Sequence, residues 1–343
     1  MAAFRLNDPN AIGVAVLGAG RMGLTHIRTL AGVPSARVIA IADPNLEAAE
    51  RGCLVGGAEL ALDSPEEAID DPRVEAVVIV TPTTTHAALI ERAVRAGKAV
   101  WSEKPIALDL AETERVVALV RETGIPVQLG FMRRFDPGYV KAKAAIDAGA
   151  LGRIETFRAL SRDTYPPSIE FLRSSGGIFL DMAVHDLDLA RFLVGEVEEV
   201  YSVGAVLFDP RFGEAGDIDT ANTLLRFRNG AIGIVETARH STWGYDIRTE
   251  VNGATGKVVV EDHQKTAMLF SREFGFEGDH FENFPDRFET AFRLELEAFF
   301  DALRSGTTPT PGPQDALETL RLAIACTRSW REGRPVKVAE VVA

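Results

Sequence analysis

The run VAVL at residues 14–17 leads straight into Gly18-Ala19-Gly20-Arg21-Met22-Gly23, and apolar residues at helical spacing follow. A strand that turns into a helix through three glycines leaves little freedom. The first glycine makes the tight turn, the second lets another molecule approach the backbone, and the third lets helix and strand pack closely. The helix start then offers unpaired N–H groups and partial positive charge, which suits a pyrophosphate. The next apolar run, VIAIAD, ends in Asp43, 20 residues beyond Gly23. A carboxylate there accepts both hydroxyls of a ribose and repels a 2′-phosphate. Neither Pro44 nor Asn45 supplies a cation for such a phosphate, so the expected ligand is NAD rather than NADP.

The alternation continues. Residues 13–17, 37–42, 76–80, 99–102 and 127–131 read as strands, and 23–31, 44–52, 85–96 and 110–123 as helices between them. Such a pattern predicts a parallel sheet covered on both faces, which is why AVVIV is continuously apolar instead of alternating. From about Ile154 longer alternating strands take over, as in a mainly antiparallel sheet. Residues 223–228 and 231–237 flank Asn229-Gly230, a two-residue hairpin signal, and 246–251 with 256–261 form another. Helices are expected over 287–304 and 314–332, separated by a Pro/Thr loop. At 343 residues the chain exceeds one ordinary core, and the reading is an α/β protein with domains 1–130 and 131–343, a helix from the C-terminal part returning to the first.

A net charge of −13 without a basic run disfavours nucleic acid. Cys53 and Cys326 have no metal or redox spacing and read as free thiols of a reducing compartment. The first residues carry no signal-peptide pattern and no apolar run reaches a membrane span, so a cytoplasmic protein is expected.

Three unusual stretches fall at the carboxyl ends of the expected parallel strands, where open α/β sheets bind ligands. They are TPTTTH (81–86), EKP (103–105) and GFMRRFDP (130–137). Lys104 can hydrogen-bond a reacting oxygen and stabilise its developing charge; its bland reading is a solvated loop cation. A fourth stretch, GGIFLDMAVHDLDLARFL (176–193), reads as a helix with Asp181, His185 and Asp188 on one face. Histidine suits removal of a hydroxyl proton as hydride leaves the same carbon, with a carboxylate to orient it; the alternative is a satisfied buried histidine. His26 and His86 lie near the nucleotide loops, His240 near the sheet, and His263 and His280 read as exposed. Asp181 and His185 lack a second ligand pair, so no metal is expected.

Together GAGRMG, IADP, TPTTTH, EKP, GFMRRFDP and GGIFLDMAVHDLDLARFL resemble the glucose-fructose oxidoreductase, inositol dehydrogenase and rhizopine catabolism superfamily (Gfo/Idh/MocA), over nearly the whole chain. SRD (161–163) and HSTWGYD (240–246) bring the likeness nearest to bacterial inositol 2-dehydrogenases. The resemblance implies a Rossmann domain, a second α/β domain on a large open sheet that builds oligomers (a homotetramer), and NAD-dependent oxidation of a ring hydroxyl, myo-inositol to 2-keto-myo-inositol. It implies Lys104, Asp181 and His185 as catalytic residues. It gives Gly18, Gly20, Arg21, Met22, Asp43, Thr81, Pro82, His86, Glu103 and Lys104 as cofactor contacts. Arg134, Asp163 and Tyr245, with Lys104, Asp181 and His185, are its substrate contacts. TYPPS (164–168) and Trp243 depart from the inositol enzymes by adding bulk, so scyllo-inositol, another isomer or a pyranose stays open. A non-catalytic nucleotide-binding protein and a metal-dependent isomerase are the readings from other classes.

Overall fold

The structure is a computed structural model that describes residues 10–261 and 264–343, and every statement below is of those residues. The N-terminal stretch before Asn10 and His263 lie outside them. The chain divides into two compact units. The first comprises the residues up to Met132 with Thr290–Leu317, and the second Arg133–Glu289 with Glu318–Ala343.

In the first unit β1 (Ile12–Leu17), β2 (Ala36–Ala42), β3 (Leu60–Leu62), β4 (Ala76–Ile79), β5 (Ala99–Glu103) and β6 (Val127–Gly130) form one sheet in the order β3-β2-β1-β4-β5-β6. Every pairing is parallel. The order reverses between β1 and β4, which opens a crevice at the strands' carboxyl ends. Val14–Leu17 and Ala76–Ile79 are completely buried, as the apolar runs require. Trp101, with Ile27 and Leu30 of helix Arg21–Ala31 and Leu296, Phe299 and Phe300 of helix Glu289–Ser305, completes a core against the sheet.

The first helix begins at Arg21, not Gly23, so Gly20 is its N-cap. The second spans Leu46–Gly56 instead of 44–52, because the Asn45 side chain caps its start and Gly57, at φ 67°, ends it. Strand β3 and helix Pro65–Asp70 are too short for their periodicity to show in the sequence.

In the second unit β7 (Ile154–Arg162), β8 (Val197–Ala205), β9 (Thr220–Phe227), β10 (Ile232–Ala238), β11 (Asp246–Gly253) and β12 (Gly256–Glu261) form a sheet with the later β15 (Val336–Lys337). Its order is β12-β11-β7-β10-β9-β8-β15. Only β7 and β10 run parallel; the other neighbours are antiparallel, including β9 and β10 around Asn229-Gly230. Burial alternates along β9, where Ala221, Thr223, Leu225 and Phe227 are buried while Leu224 faces out. Tyr201, Val203, Leu224, Ile232 and Val259 leave apolar side chains exposed on this sheet. A separate hairpin, β13 (Gln264–Arg272) and β14 (Gly275–His280), exposes Met268, Leu269, Phe270, Phe274 and Phe276.

Candidate active site

The glycine turn of the first unit assigns each glycine a task. Gly18 sits at φ 100°, and a Cβ there would come within 2.6 Å of the Val80 carbonyl oxygen. A Cβ on Gly23 would come within 2.2 Å of the Gly18 carbonyl oxygen. At Gly20 it would meet nothing within 4 Å, so the open side of the turn lies at the middle glycine. No side chain caps helix Arg21–Ala31 or helix Thr83–Arg95, which leaves first-turn N–H groups available to an anion. One oxygen of Asp43 accepts from the Ala19 N–H at 2.8 Å and the other from the Asn45 N–H at 2.9 Å, so the carboxylate is fixed and each oxygen keeps a lone pair. Open turn, uncapped helix starts and a fixed acid at the next strand end fit NAD. Arg21 and Pro82 are exposed and Met22 and Thr81 half-buried around this crevice; the Thr81 hydroxyl accepts from that of Thr85 at 2.7 Å.

His86 is different. Its ring is buried, with Nδ1 2.8 Å from the Pro105 carbonyl and Nε2 2.8 Å from the Thr81 carbonyl. It ties the loop after β4, which carries Thr81, to the loop after β5, which carries Lys104. His26, read as packing, does more: its buried Nε2 lies 2.8 Å from Glu103 Oε1, while its ring tilts against Trp101 at 4.6 Å. Burial alone would push Glu103 up, but the hydrogen bond and charge of His26, with Lys104 and His86, hold its carboxyl below the usual range. Lys104, half-buried, follows directly and is joined to Pro105 by a cis peptide.

In the second unit the expected continuous helix is interrupted. Asp181 ends a single turn, Ile178–Asp181, and a new helix, Val184–Leu193, starts after Met182 and Ala183. Gly177, at φ 92°, begins the short turn, and the Ile178 N–H donates to Asp217 Oδ1 at 3.1 Å. The single Asp181–His185–Asp188 face therefore does not form. Asp181 and His185 are half-buried, whereas Asp188 is buried and holds Arg134 through both oxygens, at 2.7 and 2.8 Å. Thr319 donates to the same carboxylate at 3.3 Å. Asp186 is likewise buried, 2.7 Å from Arg133 and 2.5 Å from the Ser161 hydroxyl. The two arginines of GFMRRFDP thus neutralise the two inner aspartates of the helix. Arg134 braces the helix through Asp188.

Asp163 and Asp181 are joined by a residue that sequence reasoning missed. Arg239, buried after β10, places Nη1 2.7 Å from Asp181 Oδ2 and 3.6 Å from Asp163 Oδ2. Burial pushes Asp163 up to about 6, with Asp181 adding to the rise and Arg239 opposing it. A buried arginine at a strand end, where alternation calls for an apolar residue, was the available signal. Tyr245 is buried, its hydroxyl pushed up by desolvation and its ring edge-on to Phe288 at 6.4 Å. His240 stacks on Phe208 at 3.7 Å, and Trp243, half exposed, donates to Asp246 at 3.0 Å beneath the Arg162 guanidinium. Among the described residues no group of His, Cys, Asp and Glu could hold a metal, and no helix is long and apolar enough to cross a membrane.

A parallel sheet with this turn, this acid and these uncapped helix starts defines an NAD-binding oxidoreductase of the Rossmann type. The chain belongs to the Gfo/Idh/MocA oxidoreductase family: residues 12–131 match the oxidoreductase family NAD-binding Rossmann fold and residues 143–338 its C-terminal alpha/beta domain. It is 41% identical over 328 residues to the scyllo-inositol 2-dehydrogenase (NAD(+)) of Bacillus subtilis, covering 94% of this chain and 95% of that one. It is 37% identical over 331 residues to the myo-inositol 2-dehydrogenase of Thermotoga maritima, covering 96% and 99%. Among solved structures, scyllo-inositol dehydrogenase from Lactobacillus casei with bound NAD(H) and scyllo-inositol superposes with a TM-score of 0.90 at 30% identity, over 96% of this chain and 99% of that one.

Proposed function

We propose that the protein oxidises a ring hydroxyl of an inositol to a ketone, myo-inositol to 2-keto-myo-inositol, with NAD. Near full-length similarity to inositol dehydrogenases, in a chain that has Lys104, Asp181 and His185, carries this reading. Lys104 donates to the reacting oxygen and stabilises its charge; Glu103, paired with His26, steadies the loop that presents it. His185 accepts the hydroxyl proton as the C–H bond breaks, and Asp181 and Asp163 accept from neighbouring hydroxyls. Bound NAD supplies the hydride acceptor, so alcohol and NAD give ketone, NADH and a proton.

The Bacillus subtilis relative favours a second reading, scyllo-inositol. The two isomers differ in configuration at one carbon, and oxidation there yields the same ketone, so the choice rests on how the ring is presented to the cofactor. The exposed apolar side chains of the second unit's sheet support a homotetramer, and a cytoplasmic location accords with NAD chemistry.

The test is an NADH-absorbance screen of the purified protein across inositol isomers and hexoses, with NAD and NADP in parallel. Turnover of an inositol with NAD is expected. Turnover of hexoses alone, or of nothing, overturns the proposal.

A further inference from the structure

His86 is buried on helix Thr83–Arg95 of the first unit, and both of its ring nitrogens face oxygens that can only accept. Nδ1 lies 2.8 Å from the Pro105 carbonyl and Nε2 2.8 Å from the Thr81 carbonyl. A neutral imidazole has one N–H and one lone pair, so it satisfies one carbonyl and turns its lone pair on the other. Two donors require the imidazolium. That charge has a counterion: His86 is among the groups that act on Glu103, the last residue of β5, whose carboxylate is also held by His26 Nε2 at 2.8 Å.

We propose that His86 carries both ring protons in the folded protein at neutral pH and that this charged clamp, by holding the Thr81 loop against the Lys104 loop, makes NAD affinity depend on a proton at His86. The residue acts through the loops and is a positioning residue. Its effect on NAD rests on the reading of Thr81 and Pro82 as cofactor contacts; the two protons rest on the hydrogen-bond geometry alone. The loop after β4 also abuts the glycine turn, since a Cβ on Gly18 would come within 2.6 Å of the Val80 carbonyl oxygen and 3.0 Å of the Thr81 nitrogen. A shift of Thr81 is therefore felt where the pyrophosphate is expected.

The ionisable groups nearest the clamp are Glu103 and Lys104 on the loop it grips and His26 behind Glu103. On its own helix Glu91 is bonded to Arg115 and Arg92 to Asp70, and on the neighbouring helix Leu110–Thr123 Asp109 caps the first turn through the Glu112 N–H. The sign follows from the donors. The clamp is closed at low pH, and as pH rises through the loss of the second proton one carbonyl is released and NAD binds more weakly. Without the Glu103 charge the second proton leaves at lower pH.

Nitrogen-15 NMR of the full chain labelled in its histidine rings reads the clamp without cofactor or substrate. At neutral pH His86 is expected to show a one-bond N–H coupling at each ring nitrogen. Its signals are assigned by their loss in His86→Gln or, should that variant not fold, by coupling across the hydrogen bond to a carbon-13 carbonyl of Pro105. A single protonated nitrogen overturns the proposal, whatever His86→Gln does to binding, because the contact is then merely structural.

NADH affinity, by fluorescence titration across pH, is the second readout. His86→Gln is expected to bind NADH about tenfold more weakly at neutral pH, the worth of one hydrogen bond from a charged donor. Wherever NMR shows the wild-type ring losing its second proton, the wild-type Kd is expected to rise by a similar factor. Glu103→Gln is expected to move that loss, and the rise in Kd with it, down by about one pH unit. A Kd indifferent to the loss of the proton overturns the proposal, as does a folded His86→Gln that binds NADH as tightly as the wild type. Both expected results in a protein that oxidises no inositol would sink the substrate reading and leave this inference standing.

Discussion

At Glu103 three cationic or ionisable neighbours act on one carboxylate, and burial acts against them. Because its folded value lies below the ordinary one, its stabilisation is present above the usual carboxylate range and is lost as pH falls through the folded value. Glu103→Gln is therefore expected to cost about 1–3 kcal/mol at neutral pH. That deficit should shrink as the pH is lowered through the acid range, read by thermal melts of both proteins across pH. Lys104→Ala and His185→Ala are expected to lower kcat about 10²- to 10⁴-fold while His185→Ala keeps NAD affinity, measured by steady-state rates and by NADH fluorescence titration. Turnover unchanged in either variant would remove that residue from the chemistry. The residue types in these positions were readable because EKP and D-x-x-x-H are short and local. Their partners were not: His26 is 77 residues from Glu103 and Arg134 is 54 from Asp188.

Helix Val184–Leu193 shows how an element can carry a site and a scaffold at once. Asp186 and Asp188 point into protein and meet Arg133 and Arg134, while His185 between them stays half-buried. Asp188→Asn leaves the half-buried Arg134 without its bidentate carboxylate and is expected to destabilise the fold by about 3 kcal/mol, seen as a lower midpoint in urea unfolding. A shift no larger than that of an exposed control such as Asp301→Asn would contradict this assignment. In the first unit Gly23→Ala drives a methyl into the Gly18 carbonyl, so NAD affinity is expected to fall at least tenfold in a fluorescence titration while the sheet still folds. The helix start was legible from three glycines. The break at Met182 and Ala183 was not, because no proline or glycine marks it and apolar periodicity runs on across it.

At the scale of the molecule, the second unit's sheet leaves Leu224 of β9 and Ile232 of β10 among its exposed apolar side chains. A stable monomer rarely leaves such a surface to water. If copies of the chain meet on this face, as the proposed homotetramer requires, Leu224→Glu combined with Ile232→Lys is expected to lower the mass in solution, measured by light scattering coupled to size exclusion. An unchanged mass would move the interface elsewhere. The hairpin β13–β14, with its exposed phenylalanines, was not read from the sequence because it buries neither face and so lacks the alternation that marks a half-buried strand.

By itself the sequence determined five of the six strands of the parallel sheet, the glycine turn with Asp43, and the hairpin at Asn229-Gly230, since each follows from apolar periodicity or from backbone conformations within a few residues. Tertiary structure alone decided which charges meet. Arg133 with Asp186, Arg134 with Asp188, and Arg239 with Asp181 and Asp163 are pairings between distant segments, the last set in part by the register of β7 and β10, and all of them formed where burial leaves little solvent to share the charge. The same is true of Thr290–Leu317, which joins the first unit because Leu296, Phe299 and Phe300 fill its core, a choice of partner that helical periodicity cannot express.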